Sequence, residues 1–143
     1  MYFINHEQID QRIQFLDELA LSCKQLEEHW GQGDSALIQQ MAQERVLHLG
    51  IETVTDVGSL LIDAFILRDA SSYEDIVEIV HGEGAYSETL TETLLQLVRL
   101  RKPLVQEFVS WNRTELHPLI SKLPAAFQEF AGSVRAFIKK EME

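Results

Sequence analysis

The chain is poor in the residues that interrupt helices and in those that cross-link them. It holds one cysteine, Cys23, so no internal disulfide forms, and a lone thiol fits a reducing, cytoplasmic compartment. Three prolines and seven glycines in 143 residues leave few breaks. No window approaches about 18 uncharged apolar residues, which excludes a membrane-spanning helix. The stretch from Met1 to Glu7 has no basic residue ahead of an apolar run, so no secretory signal is expected. Basic residues are also scarce: 12 Lys and Arg stand against 23 Asp and Glu, for a net charge of −11. A broad grip on nucleic acid needs a basic face. No DNA partner is expected, therefore, and any RNA contact is confined to a local basic spot. The acidic remainder suits a basic partner protein. The densest interior basic spot is Arg99, Arg101 and Lys102, and a second lies at Arg135, Lys139 and Lys140.

The alternation that marks a strand is absent as well, and what remains is helical periodicity. One domain over residues 1–143 is expected, long enough to bury a core. Ile9, Ile13, Leu16, Leu19, Cys23 and Leu26 recur at three- and four-residue steps in a first helix from His6 to Trp30. Cys23 is read there as a small apolar filler. Gly31 and Gly33 end that helix, and Asp34 or Ser35 caps the next.

The second helix, Ser35 to Leu67, is the longest. Leu47, Ile51, Val54, Gly58, Leu61 and Phe65 make one stripe; Val46, Gly50, Val57, Leu60 and Ala64 make another. At about 100° per residue these cover more than half the circumference, so burial on several sides follows. Gly58 admits a close neighbour. A narrow polar seam is left: Arg45, His48, Glu52, Thr55, Asp56, Ser59 and Asp63. It reads equally as a solvent face. Ser72 and Asp75 resemble a capping box for a short third helix from Tyr73 to His81, which Gly82 and Gly84 stop. Ser87 caps a fourth. Asn112 with Glu115 is placed to cap a fifth that reaches Lys139, with Pro118 early in it and Pro124 kinking or splitting it.

Chemistry is sought where the fourth helix carries Leu97 to Trp111. Pro103 lies inside this pattern, and an internal proline costs roughly 3 kcal/mol, so a kink or break is expected. Arg101 and Gln106 flank it. Five residues apart on a straight helix they point about 140° away from each other; a kink would bring them onto one concave surface. Arginine suits phosphate, being planar and permanently charged. Glutamine orients a phosphate or water but takes no proton. Glu52 and Asp56, four apart, share a helix face and are placed to orient Arg101 or Lys102 from across a helix contact. His48 lies on the same seam, but His48, Glu52 and Asp56 do not form a specific metal signature, and no metal is expected. His6, His29, His81 and His117 stand alone. Gly82 and Gly84 lack the lysine and following helix of a phosphate loop. Phe127, Phe130 and Phe137 recur at packing intervals rather than as a base-stacking platform.

Taken together, three segments carry a resemblance: Arg45 to Asp63, Ser72 to Ile79, and Arg101-Lys-Pro-Leu-Val-Gln106-Glu-Phe108. The chain resembles the HepT-like branch of the HEPN superfamily and, within it, the small YutE-like group. The resemblance implies an all-α, antiparallel bundle of about five helices that forms a symmetric homodimer. It implies a site in which motifs of two subunits, each an Arg followed after four to six residues by a His, face each other and cleave RNA without metal or cofactor. Acidic residues of the second helix, here Glu52 and Asp56, support the motif. In HepT toxins a Tyr two residues after the His is modified by a partner nucleotidyltransferase antitoxin. Arg101 fills the arginine position, with Arg99 and Lys102 beside it for phosphate. Gln106 stands at the histidine position and Phe108 at the tyrosine position. The expectation is thus a toxin-antitoxin-type ribonuclease-like protein with catalytic positions Arg101 and Gln106. The alternative is a dimeric module that binds a nucleotide, RNA or partner protein without cleaving.

Overall fold

The computed structural model describes residues 2–143, and the secondary structure among them is helical. Helix α1 spans His6–His29, α2 Ala36–Ala64, α3 Tyr73–Gly82, α4 Glu88–Val98, α5 Arg101–Gln106 and α6 Leu119–Met142, with a 3₁₀ turn at Phe108–Ser110. All five expected helices are present, and the break near the proline divides the fourth into α4 and α5.

Helix α1 buries the six residues of its stripe, Ile9, Ile13, Leu16, Leu19, Cys23 and Leu26. It packs against both α2 and α6. The α1–α2 pair is antiparallel: Arg12, early in α1, bonds Asp56, late in α2, at 3.1 Å. The turn between them uses Gly31 and Gly33 at positive φ, 76° and 73°. Ser35 occupies the cap position of α2 but makes no capping bond. Gln39 ties the turn down instead, accepting from the Gly31 amide at 2.8 Å and donating to the carbonyls of His29 and Gln32.

Helix α2 is buried on several sides, as its two stripes require, and it touches α1, α3, α4 and α5. Thr55 leaves the expected polar seam: it is buried, and its hydroxyl donates to the Ile51 carbonyl at 2.7 Å. Gly58 is a point of close approach, because a Cβ there would lie 2.5 Å from Ile76 Cγ2 of α3. The helix stops at Ala64, three residues short of the expected Leu67. Phe65 and Leu67 donate back to Leu61 and Ile62, and Ile66 between them takes φ 55°. This is a glycine-type helix terminus built with isoleucine.

Ser72 caps α3 by accepting from the Asp75 amide at 3.0 Å. The reciprocal half of the box is absent. Asp75 turns outward from it, taking both Arg68 nitrogens at 2.7 Å and the Ser71 amide at 2.9 Å. Ser87 caps α4 through the Leu90 amide. Asn112 caps nothing. Residues 112–118 are irregular and are held from the side: buried Gln43 donates to the Glu115 carbonyl at 3.2 Å and accepts from the His117 amide at 2.7 Å. Helix α6 starts at Leu119, with Pro118 at its cap position, and runs through Pro124 without splitting. Phe127, Phe130 and Phe137 are buried in the core.

Candidate functional site

The break in the Leu97–Trp111 stretch falls at Arg99 and Leu100, ahead of the proline. Pro103 sits in the first turn of α5, where the amide it lacks would have had no intrahelical partner. Placing the break there makes Arg101 the first residue of α5. Arg101 and Gln106 then lie on one uninterrupted short helix, about 140° apart. The expected convergence of the two through a kink is not found. Gln106 and Phe108 are both exposed.

Arg101 is instead positioned by three other elements. Buried Leu104 anchors α5, which packs on α2. From α2, Glu52 Oε1 faces Arg101 Nε at 3.7 Å. From α3, the ring of Tyr73 lies under the guanidinium, with Cζ 4.2 Å from the ring centroid. A cation over an aromatic face is attracted by the ring quadrupole. Both side chains of the ion pair are 35% exposed, so the pair opens to solvent on one side. Yet Glu52 Oε1 and Arg101 Nε are themselves shielded and make no hydrogen bond. Two charged atoms with unused bonding capacity face each other just beyond hydrogen-bond reach.

Glu52 Oε1 is shared with His48, whose Nε2 lies 3.6 Å away one turn earlier on α2. The other ring nitrogen, Nδ1, is 3.4 Å from Arg45 Nη1. Asp56 does not join this group. Its carboxylate is engaged by Arg12 of α1, so of the two expected supporting carboxylates only Glu52 reaches Arg101. For the same reason His48, Glu52 and Asp56 do not converge as ligands. Among the described residues no group of three His, Cys, Asp or Glu side chains has the spacing to hold a metal ion. Arg99, the second expected phosphate ligand, pairs with Glu74 of α3 at 3.2 Å. Lys102 is exposed and forms no ion pair among the described residues. Arg135, Lys139 and Lys140 lie exposed on α6, outside this group.

The start of α3 therefore holds both arginines, one through Tyr73 and one through Glu74. Its placement depends on the Asp75 network, and the Arg68 guanidinium, helped by the Ser71 amide, holds the Asp75 carboxyl well below the usual carboxylate range. Tyr73 is the site residue that the linear pattern does not reveal. It lies in another element and is half-buried at a helix start, where only packing brings it under Arg101. Among the groups away from the site, Cys23 and His117 also carry shifts. Burial, with Glu27 adding to it, pushes the Cys23 thiol up to about 12, which is the behaviour of an inert core thiol. Burial lowers His117, whose Nδ1 accepts from the Leu119 amide and serves as the cap of α6.

A helical bundle that presents an arginine on a short helix against a carboxylate of its long central helix fits what the resemblance to the HEPN class implies. Within that class the chain belongs to the HepT-like ribonuclease family, whose model matches residues 9–134. It is similar to YutE of Bacillus subtilis (strain 168), a candidate RNase, with 34% identity over 143 residues that cover 99% of this chain and 95% of that protein. The solved structure of Bacillus subtilis YutE, described as a cytosolic protein of unknown function, superposes with a TM-score of 0.82 at 32% identity, covering 99% and 95% of the two chains. No helix among the described residues is long and apolar enough to cross a membrane.

Proposed function

We propose that this chain is a metal-independent endoribonuclease of the toxin-antitoxin kind, acting as a homodimer on RNA. Arg101 binds the scissile phosphate and Glu52 orients it. One observation carries the reading: Arg101 is held between Glu52 and the face of Tyr73 with its Nε shielded and unbonded, a guanidinium pre-positioned without being neutralised by a close hydrogen-bonded pair. Its family membership and the likeness to a candidate RNase support the choice of RNA. The dimer is supported by the apolar surface within and just after the motif, where Val105, Phe108 and Val109 are exposed. A nucleotidyltransferase antitoxin is the fitting partner, although Phe108 offers it no hydroxyl to modify. The test is cleavage of labelled RNA by purified protein, with Arg101→Ala alongside. Cleavage that survives the substitution refutes the role of Arg101. Light scattering at micromolar concentration that gives a monomer refutes the dimer.

Gln106 and Phe108 favour a second reading, a dimer that holds a nucleotide, an RNA end or a partner protein at Arg101 without cleaving. Under it the wild type is inactive in the cleavage assay but is stabilised by nucleotides or short RNA in a thermal-shift screen. Gln106→His in the same gel separates the two, because a gain of cleavage only in that variant places the lost step at position 106.

A further inference from the structure

RNA cleavage needs a proton acceptor at the 2′-hydroxyl, and Gln106 is not one. The group with that chemistry at the site is His48, on α2 rather than α5. Its Nε2 lies 3.6 Å from the same Glu52 oxygen that faces Arg101 at 3.7 Å. Imidazole and guanidinium are therefore separated by no more than the sum of those two distances, which is within the span of one phosphodiester and its ribose. His48 is 32% exposed, so the ring is reachable.

The contacts also define which nitrogen acts. Arginine only donates, so the 3.4 Å contact from Arg45 Nη1 fits the tautomer with Nδ1 as acceptor and the ring proton on Nε2, facing Glu52. That is the layout of a histidine facing a carboxylate: Nε2 looks to the anion at 3.6 Å, short of a hydrogen bond, the anion stabilises the imidazolium that forms, and the Nδ1 lone pair is free once Arg45 turns away. The contact with Arg45 is long and therefore weak. Arg45 is exposed and free to turn to an arriving phosphate. The charged groups facing His48 are Arg45 and Glu52 on α2 and, across Glu52, Arg101 of α5.

We propose that His48 is the general base of this site and does the work that position 106 cannot, with Glu52 as its positioning residue. This rests on the ribonuclease reading above. Nδ1 takes the 2′-hydroxyl proton as the 2′-oxygen bonds to phosphorus. The bond from phosphorus to the 5′-oxygen breaks, and that oxygen leaves with a proton from water. The imidazolium returns its proton to solvent, leaving a 2′,3′-cyclic phosphate and a 5′-hydroxyl. Arg101 and Arg45 bind the phosphate oxygens.

The experiment compares wild type, His48→Ala and His6→Ala on labelled RNA, with and without added imidazole, across a pH series. His6 is exposed at the start of α1 and serves as the control. General base catalysis contributes about 10²–10⁴-fold, so His48→Ala is expected to lose at least about a hundredfold in rate while His6→Ala matches wild type. Imidazole restores part of the loss in His48→Ala, and the acid limb of the pH profile disappears in that variant. Equal cleavage by wild type and His48→Ala overturns the assignment and leaves the ribonuclease reading standing. A loss that imidazole does not rescue, with the acid limb unchanged, marks His48 as structural and also overturns it. A wild type that cleaves nothing overturns the ribonuclease reading and this assignment with it.

Discussion

The Arg101 guanidinium rests 4.2 Å above the centroid of the Tyr73 ring. This contact joins the first residue of α5 to the first residue of α3 and completes the clamp that Glu52 begins. It orients the cation without neutralising it, so the charge stays available to an anion arriving from the open side. Tyr73→Leu keeps apolar bulk under the guanidinium but removes the quadrupole. A cation–π contact at a part-exposed site is worth about 1 kcal/mol, so RNA affinity or cleavage is expected to fall about fivefold with little change in melting temperature. Equal activity of the two proteins would show that Glu52 alone holds Arg101.

Asp75 gives the region a pH dependence with a definite sign. Its folded carboxyl titrates below the ordinary value of 3.8, chiefly because Arg68 donates to it. A depressed carboxyl contributes stability that is fully present above 3.8 and is lost as pH falls through the folded value. Asp75→Asn is therefore expected to melt below wild type near neutral pH, with the difference shrinking as the buffer is taken below that value. Melts by circular dichroism over the series check this. A constant difference at every pH would show that geometry and not charge is at stake.

Helices α2 and α3 approach each other closely at Gly58. A methyl group there meets the β-branched Ile76 at 2.5 Å, and Ile76 is the residue directly after Asp75 in the helix that carries Tyr73. Overpacking of this sort costs about 1–3 kcal/mol. Gly58→Ala is expected to lower the urea midpoint accordingly. Because the displacement pushes α3 away from α2, it should also weaken whatever Arg101 binds. Pairing it with Ile76→Ala should restore part of both losses, and no restoration would place the damage elsewhere.

Ile66 stores strain at the end of α2. It adopts φ 55° while 78% exposed, so the left-handed conformation is not offset by burial of its side chain. That conformation costs an ordinary residue about 1–2 kcal/mol, and glycine in its place gives back part through chain entropy. Ile66→Gly is expected to raise stability by up to about 1 kcal/mol, or a few degrees in melting temperature. A lower melting temperature would mean that the chain entropy of glycine outweighs the strain relieved.

Much of the molecule was legible in the linear pattern. The α1 stripe, the many-sided burial of α2, the glycine stops and the Ser72 and Ser87 caps are consequences of helical period and local backbone chemistry. They depend on residues within a few positions of one another. Arg101 also stood out in the basic cluster beside the proline, and Glu52 and His48 on the polar seam of the second helix. Their partners were not legible. The expectation of a kink that joins Arg101 to Gln106 failed because a proline is harmless in a first turn, and the chain broke earlier. The expected cap at Asn112 failed because buried Gln43, far away in sequence, holds that segment.

By itself, then, the sequence determined a bundle of helices, the seam of polar residues along its central one and a basic cluster beside a proline. Each follows from periodicity and from the chemistry of single side chains. Only the tertiary structure decided that Glu52 and not Asp56 meets Arg101, that Tyr73 lies under it, and that His48 shares its carboxylate. Those choices depend on how α1, α3 and α5 are rotated against α2, and that rotation is the outcome of packing the whole core at once.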